Sequence, residues 1–398
     1  MSHQSKGGLG IAMIVLLIVP VCAQNLDWNI TGAGARAEGF AGAFIGVADD
    51  ATSIVWNPAG LATLERPEAS IVTRLISESA DYTDATSSSN NANESQSHFA
   101  LNFGSFAMPL KAGGNNIVVA IAYQRQLDMF AKSKDSFEDF ESSGGANTVT
   151  PGVGVRLSPM FSVGLAANIW LSQYDINSTD LSTQDKTTVT GKFSGTNFVL
   201  GGLIDFSSQQ SKLPLKVGIS LKTPFDLKID QTFTSTQLAS SVSGTLTAQM
   251  PLMLGFGASY QPSDNLTLAL DYEIRGYGSK EYSQNVNGTT TIGPMSDSKE
   301  GLNELRIGAE YLIVTSSSVI PIRVGYRTVP TVLANYDDSG NSTGQVSGGA
   351  FSIGSGFVTD KFAIDLTYNS SSYTQTLGTV GSIKYATGTL STSVIFYF

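Results

Sequence analysis

The chain has little cysteine, little histidine and little charge. Cys22 is its only cysteine, His98 is one of two histidines, and 14% of its 398 residues are charged. A single cysteine cannot form an intrachain disulfide or a thiolate metal site, and so few histidines cannot build a multi-histidine site. The composition therefore predicts no metal site and no cofactor.

Long apolar runs are also scarce. The longest, Leu9 to Val21, has 13 residues, whereas a helix needs roughly 20 to span a bilayer. It follows Lys6 and ends at a small-residue cleavage site around Cys22 and Ala23, so residues 1–23 are predicted to be an export signal. The alternative is a lipoprotein that begins at Cys22, but the small residues expected before such a cysteine are missing.

Basic residues are few and dispersed. The formal net charge is −10, and cleavage after Ala23 would remove Lys6 and no acidic residue, which leaves −11. An acidic chain without a basic cluster argues against nucleic acid as a partner.

A two-residue alternation takes the place of the missing features. In residues 265–275, Leu266, Leu268, Leu270 and Tyr272 fall on one face and charged or polar residues on the other, because successive side chains of a strand point to opposite sides. The alternation recurs in residues 215–222, 302–312, 320–327 and 362–368.

Strands with this pattern, joined alternately by tight turns and long polar loops, are typical of outer-membrane β-barrels. The sequence thus predicts an all-β fold, a transmembrane antiparallel barrel over residues 69–398 in the outer membrane of a Gram-negative bacterium. Long loops are expected at 83–94, 132–147, 176–190, 277–298 and 331–346. The fourteen predicted strands are 69–82, 95–110, 115–131, 148–158, 161–175, 191–207, 214–231, 242–260, 264–276, 299–313, 319–330, 347–358, 361–373 and 385–398.

One segment, Gly32 to Leu64, does not alternate. It is rich in glycine and alanine, which allow close backbone packing, and it ends in a turn at Asn57-Pro58-Ala59-Gly60. Residues 24–68 are therefore predicted to form a hatch that plugs the barrel.

Residues 34–62, 251–277, 305–311 and 321–330 are similar to the long-chain fatty acid transporter (FadL-like) family of outer-membrane proteins. The resemblance implies a fourteen-stranded barrel with an N-terminal hatch, whose Asn-Pro-Ala motif corresponds to Asn57, Pro58 and Ala59. It also implies transport of a hydrophobic small molecule, a fatty acid or an aromatic hydrocarbon, through the hatch region to a lateral opening in the wall. The chain is then a non-enzymatic monomer surrounded by outer-membrane lipid. The third and fourth outer loops, predicted at 176–190 and 232–241, are too short and polar for the family's outer capture groove.

An apolar ligand needs an apolar pocket with few polar anchors. Since the inner wall is expected to be polar, the apolar surface should come from the hatch, through Phe40, Phe44, Ile45, Ile54 and Trp56. These residues would otherwise pack the hatch against the wall. Arg323 and Arg327 are candidate carboxylate anchors, with internal salt bridges as the alternative.

Two other functions remain open from the sequence. Relatives with a similar hatch look like the barrel subunit of the type IX secretion apparatus, which handles exported proteins. An outer-membrane lipase could use His98, although no GxSxG motif accompanies it. For a transporter, a lateral opening is expected near residues 152–154 or at Pro224, where glycine or proline would disturb a strand.

Overall fold

A computed structural model describes residues 32–112, 115–134, 136–208, 212–237 and 241–398. The predicted export signal, residues 1–23, lies outside this part of the chain. Two short helices, α1 (Ala35–Gly39) and α2 (Ser53–Trp56), and a 3₁₀ helix (Pro58–Thr63) precede the strands. Further 3₁₀ turns occur at Ser88–Asn90, Phe206–Ser208, Tyr277–Ser279 and Gly378–Val380. The strands are β1 (Glu68–Asp84), β2 (Ala92–Ala112), β3 (Asn115–Asp128), β4 (Ala131–Lys134), β5 (Glu138–Arg156), β6 (Phe161–Asp180), β7 (Lys186–Asp205), β8 (Leu215–Lys222), β9 (Phe225–Ser235), β10 (Val242–Met250), β11 (Met253–Ser263), β12 (Leu266–Arg275), β13 (Glu281–Val286), β14 (Thr289–Pro294), β15 (Glu304–Val314), β16 (Val319–Tyr336), β17 (Ser342–Val358), β18 (Phe362–Thr376) and β19 (Gly381–Tyr397).

Within the described ranges, none of the helices is both long enough and apolar enough to cross a membrane.

The strands form one antiparallel sheet that closes on itself, because β1 pairs with β19 as well as with β2. Five passes of the wall are interrupted, at β3/β4, β8/β9, β10/β11, β12/β13 and β14/β15, so that the nineteen described strands make fourteen passes. The fourteen predicted strands each coincide with one pass. Closure joins the first and last strands of the sheet, as a barrel in hydrocarbon requires.

The apolar residues of the alternation face outward. On β12, Leu268, Leu270 and Tyr272 are 43%, 50% and 42% exposed, whereas Asp271 and Glu273 on the opposite face are buried. Such a belt of apolar side chains around a closed sheet is the lipid-facing surface of an outer-membrane barrel.

The prediction of long outer loops is wrong. The strands continue through most of these segments: β6 extends to Asp180, β7 begins at Lys186, and β13 and β14 form a hairpin inside 277–298. Above the lipid-facing belt both the outside of the wall and its rim contact water. Polar residues therefore occupy outward positions as well, and the apolar alternation that identifies a strand disappears there.

Candidate functional site in the barrel interior

The hatch, residues 32–64, is seated directly on the backbone of the wall. A Cβ atom added at Gly164 would lie 2.1 Å from Pro58 C, and one added at Gly218 would lie 2.3 Å from the carbonyl oxygen of Ile45. Inward-facing glycines thus leave the room that the hatch backbone occupies. The hatch fills the half of the lumen near the short turns, since Asn116, next to one such turn, donates from Nδ2 to the hatch carbonyls of Ala62 and Leu64.

Asn57 ties the hatch to itself and to the wall. Its Nδ2 donates to Ile45 O (2.9 Å) and to Gly202 O on β7 (3.1 Å), and its Oδ1 accepts from Ala59 N (3.2 Å). Pro58 follows as the first residue of the 3₁₀ helix, where its missing N–H is not needed. The Asn-Pro-Ala segment is thus a buried structural joint.

Two charged side chains of the wall, on β12 and β15, also hold the hatch. Asp271 Oδ2 accepts hydrogen bonds from Phe44 N (2.7 Å) and Ile45 N (2.8 Å). The Arg306 guanidinium lies over the Trp56 ring at 5.6 Å from its centroid, a cation–π contact.

The three aromatic hatch candidates pack together. The ring centroids of Phe40 and Phe44 lie 6.1 Å apart and those of Phe44 and Trp56 lie 6.3 Å apart. All three are buried in a cluster that also contains Ile54 and the wall residue Val72. Ile45 is equally buried, with its Cδ1 against Gly255. The structure therefore places the predicted apolar residues in the packing of the hatch against the wall.

Charged residues of the hatch form an ionic cluster together with a carboxylate of the wall. Arg36 contacts Asp49, Asp50 Oδ2 (3.6 Å) and Glu310 Oε2 (3.3 Å). Burial raises the pKa of the Asp50 carboxyl above its ordinary value, although Arg36 nearby favours its charged form. For Asp49 burial acts in the same direction, but the attraction of Arg36 outweighs it and the pKa is lowered.

Both candidate carboxylate anchors are engaged in ion pairs. Arg323 donates from Nε to Glu310 and from Nη1 to Asp365, each at 2.6 Å, and its side chain is 1% exposed. Arg327 Nη1 donates to Glu304 Oε1 at 3.2 Å. Their guanidinium groups donate to carboxylates of the wall. Both arginines therefore form internal salt bridges, the alternative to a role as ligand anchors.

The expectation of a uniformly polar inner wall is wrong, because the strands change phase at two prolines. Lys222 faces inward on β8, but beyond Pro224 it is Leu227 and Ile229 of β9 that face inward, at odd positions instead of even ones. The same switch occurs at Pro251 between β10 and β11. Apolar side chains that would continue the outward face are thereby turned into the lumen.

These residues form an apolar cluster above the hatch, which we call the chamber. If the two-residue alternation had been counted afresh after each of these prolines, the sequence would have predicted part of the chamber. Its buried members are Leu127, Met129, Ala146, Trp170, Tyr174, Ile176, Val189, Phe193, Leu227, Ile229, Phe233, Leu246, Ala248, Met250, Met253, Tyr277, Met295, Leu302 and Val332.

A small cavity of about 20 Å³ lies between the chamber and the hatch. The hatch residue Val55 forms part of its lining, and Lys222 and the amides of Asn168 and Asn197 bring polar groups to it. Trp170 Nε1 donates to Asn197 Oδ1 at 2.9 Å. Among the described residues Lys222 makes no direct salt bridge, but the buried carboxylates of Glu273 and Glu304 attract it electrostatically. This volume holds about one water molecule, so the chamber is closed by its own side chains. The remaining lining residues are Gln124, Gln126, Thr223, Phe225, Pro251 and Met253.

One stretch of the wall lacks a backbone ladder. Strands β2 and β3 pair only from Phe103–Gln124 down to their turn, and within the described ranges residues 92–102 of β2 pair with β1 alone. On the other side, β3 ends at Asp128 and β4 resumes at Ala131. We call this place the gap. In contrast, residues 152–154 are paired with both neighbours, and pairing continues on both sides of Pro224.

Comparisons with known proteins agree with this architecture. A family model described as BamG matches residues 37–328, whereas a search of curated proteins gave no match. A Pseudomonas aeruginosa FadL homologue is similar in structure, with a TM-score of 0.66 and 14% identity over 92% of this chain and 98% of the other. The Ralstonia pickettii toluene transporter TbuX has a TM-score of 0.58 and 15% identity, over 93% and 99% of the two chains. The Pseudomonas putida toluene transporter TodX has a TM-score of 0.59 and 11% identity, over 93% and 99%.

Proposed function

The chain belongs to the BamG family and has the barrel-and-hatch fold of FadL homologues, and we propose from this that it moves small hydrophobic molecules across the outer membrane of a Gram-negative bacterium. The substrate class is a long-chain fatty acid or an aromatic hydrocarbon. One chain is the transport unit, without a cofactor and without catalysis.

The chamber is the observation that carries this proposal. A barrel that passes polar solutes has a polar lumen, whereas here the lumen above the hatch is lined by leucine, isoleucine, methionine and aromatic side chains. An apolar molecule that inserts between these side chains is removed from water. The side chains stay out of water too, because their contacts with one another are replaced by contacts with the molecule. The chamber therefore supports binding of an apolar molecule from the outer side.

Lys222 supports a polar anchor at the base of the chamber. It borders the cavity together with the amides of Asn168 and Asn197, and among the described residues it makes no direct salt bridge, although Glu273 and Glu304 attract it from a distance. A ligand carboxylate could therefore pair with it without breaking an existing bridge. The ion pairs of Arg323 and Arg327 make these two arginines weaker candidates.

The gap supports a lateral route to the membrane. Gln124 and Gln126 line the cavity and belong to β3, the strand that borders the gap. A molecule in the cavity would thus lie next to the gap, where the described residues of β2 and β3 are not joined by backbone hydrogen bonds. The hatch beneath blocks the direct path to the periplasm, which favours sideways release.

Mass spectrometry of organic extracts tests the function. The full chain would be purified from its native membrane in mild detergent beside Ile229→Asn, which places a polar group in the chamber. Thr232→Asn, at an exposed position of the same strand, serves as the control. We expect a fatty acid or an aromatic hydrocarbon with the wild type and the control, and its loss from Ile229→Asn.

Two outcomes would contradict the proposal. One is an extract that matches the detergent blank for every variant. The other is such an extract combined with copurifying exported proteins, which would indicate a subunit of a protein secretion apparatus instead.

A further inference from the structure

His98 lies on β2 at the gap and faces the interior. Its side chain is 9% exposed, while the next residue, Phe99, is 69% exposed on the lipid-facing side. The ladder between β2 and β3 begins five residues further along the strand, at Phe103. At this position, side-chain contacts must therefore replace the backbone hydrogen bonds that join neighbouring strands elsewhere in the wall.

The imidazole joins the two sides of the gap. Its Nε2 lies 3.2 Å from Asp128 Oδ2, and its ring stacks on Phe130 with centroids 4.1 Å apart and planes at 19°. Asp128 is itself held in place, by Arg125 Nη1 at 3.3 Å and by the backbone N–H of Phe130 at 3.1 Å. Both contacts of His98 fall on the end of β3 and on the break that follows it.

Gln96 also makes contacts across the gap, one of them from Nε2 to the Phe130 carbonyl oxygen at 3.5 Å. Its Oε1 accepts from Lys132 N at 2.8 Å, and its Nε2 donates to Glu78 on β1 at 2.8 Å. In the described part of the chain, side chains from two positions of β2 thus take the place of a ladder. Side chains can turn away by rotation about their own bonds, whereas a ladder must break several backbone hydrogen bonds together.

The closed arrangement is also imperfect. Both ring nitrogens of His98 are buried, and although Nε2 approaches Asp128 to 3.2 Å, neither nitrogen has a hydrogen-bond partner of good geometry among the described residues. A buried polar atom without a partner lowers the stability of the state that buries it. Turning the ring out of the gap would let Nδ1 reach water or a lipid headgroup. The buried imidazole nitrogens without a partner thus destabilise the closed gap, and opening the gap would remove this destabilisation.

We propose that His98, Asp128 and Phe130 form a latch that holds the gap shut, and that release of this latch opens the wall between β2 and β3 to an apolar molecule from the chamber. The direction of that passage rests on the proposed function. The latch also accounts for His98 without a hydrolytic role, since no described hydroxyl group hydrogen-bonds to its imidazole.

Distance measurement between spin labels tests the latch in the full chain. The only natural cysteine is Cys22 in the predicted export signal, so Phe99→Cys and Ser133→Cys can be labelled on the two sides of the gap. Met108→Cys and Val119→Cys, which face each other where the ladder is intact, form the control pair. We expect His98→Ala to broaden the distances across the gap and lengthen them by about one strand spacing, ~5 Å, while the control distances stay unchanged.

Uptake by the same variants in vesicles supplies a second readout. His98→Ala should speed uptake of a labelled fatty acid severalfold, and His98→Phe, which retains the ring stack, should fall between His98→Ala and the wild type. A structural role alone would lower uptake together with thermal stability and would not give this order.

The outcomes separate the two proposals. Identical label distances in the wild type and His98→Ala would overturn the latch. If the distances change but wild-type uptake equals that of empty vesicles, the latch stands and the transport function fails.

Discussion

Single residues decide how firmly the hatch is held. Asn57 is completely buried and donates to two carbonyl oxygens, one in the hatch and one in the wall. In Asn57→Leu both carbonyls would lose this donor, at about 1–3 kcal/mol for each buried group left unpaired. We expect faster hydrogen exchange throughout residues 32–64 and an unchanged heat-dependent gel mobility of the barrel. Asn177→Leu, at an exposed strand position, should change neither, and unaltered exchange in Asn57→Leu would contradict the role of this joint.

As the proposed carboxylate anchor, Lys222 should discriminate between ligand classes. A charge-assisted hydrogen bond to a carboxylate contributes about 1.5–3 kcal/mol, so its loss corresponds to about 10- to 100-fold in affinity. Lys222→Met should therefore weaken decanoate binding by about that factor and leave toluene binding within about twofold. Equal losses for the two ligands would indicate that Lys222 shapes the chamber and does not pair with the ligand. Isothermal titration with both ligands makes the comparison.

Asp50 should make the docking of the hatch sensitive to pH. Because its pKa is raised in the docked hatch, the docked state holds a proton that a released hatch would lose, and docking weakens as the pH rises above the ordinary value of about 4. Asp49, whose pKa is lowered, loses its contribution only below that value. Protection factors of the Thr52 and Ser53 amides, which donate to Asp50, should thus be higher at about pH 5 than at about pH 8. Asp50→Asn should reduce this difference, and an unreduced difference would assign it to another group.

At the scale of elements, the seat of the hatch depends on wall glycines. A side chain at Gly164 would collide with the backbone of Pro58, at 2.1 Å from its carbonyl carbon, and backbone cannot rotate aside as a flexible side chain can. Gly164→Val should expel the hatch from its seat while the barrel still closes, since the strand pairing itself does not involve this side. Ion conductance in planar bilayers should increase. Gly104→Ala, whose nearest neighbour would be 3.8 Å away, is the matched control, and a silent Gly164→Val channel would contradict the tight seat.

The sequence predicts some parts of these strands better than others, and the difference depends on what each part contacts. All fourteen wall passes could be located, because one face meets lipid and the other does not. Their outer ends could not, since residues such as 172–180 of β6 lie above the lipid-facing belt. The chamber was missed for a related reason: period two was continued through Pro224 and Pro251, although the facing of each strand is reset there. The Asn-Pro-Ala joint was found because its motif is local, whereas the role proposed for Lys222 depends on the absence of a direct salt bridge to distant strands of the described chain.

At the scale of the whole molecule, the interior consists of two layers, the hatch and the chamber above it, with little space between them. The cavity between hatch and chamber measures about 20 Å³, far below the roughly 300–1,000 Å³ of sites that enclose small molecules. An apolar ligand can bind only a minor state in which chamber side chains have separated, and it stabilises that state by its preferential affinity. Under the proposed function, the closed chamber would open only when a ligand enters it.

Ligand binding should consequently stabilise the fold while loosening one part of it. At a ligand concentration about 100 times Kd, the folded state gains about 2.7 kcal/mol, which raises the unfolding temperature. Hydrogen exchange in β9 and β10, which carry the chamber side chains Leu227, Ile229 and Leu246, should nevertheless become faster as their packing opens, while β17 and β18 on the other side of the barrel stay unchanged. Oleate is a suitable probe, with octyl glucoside at the same concentration as the control. A higher unfolding temperature with uniformly slower exchange would mean that the ligand binds outside the chamber, on the lipid-facing surface.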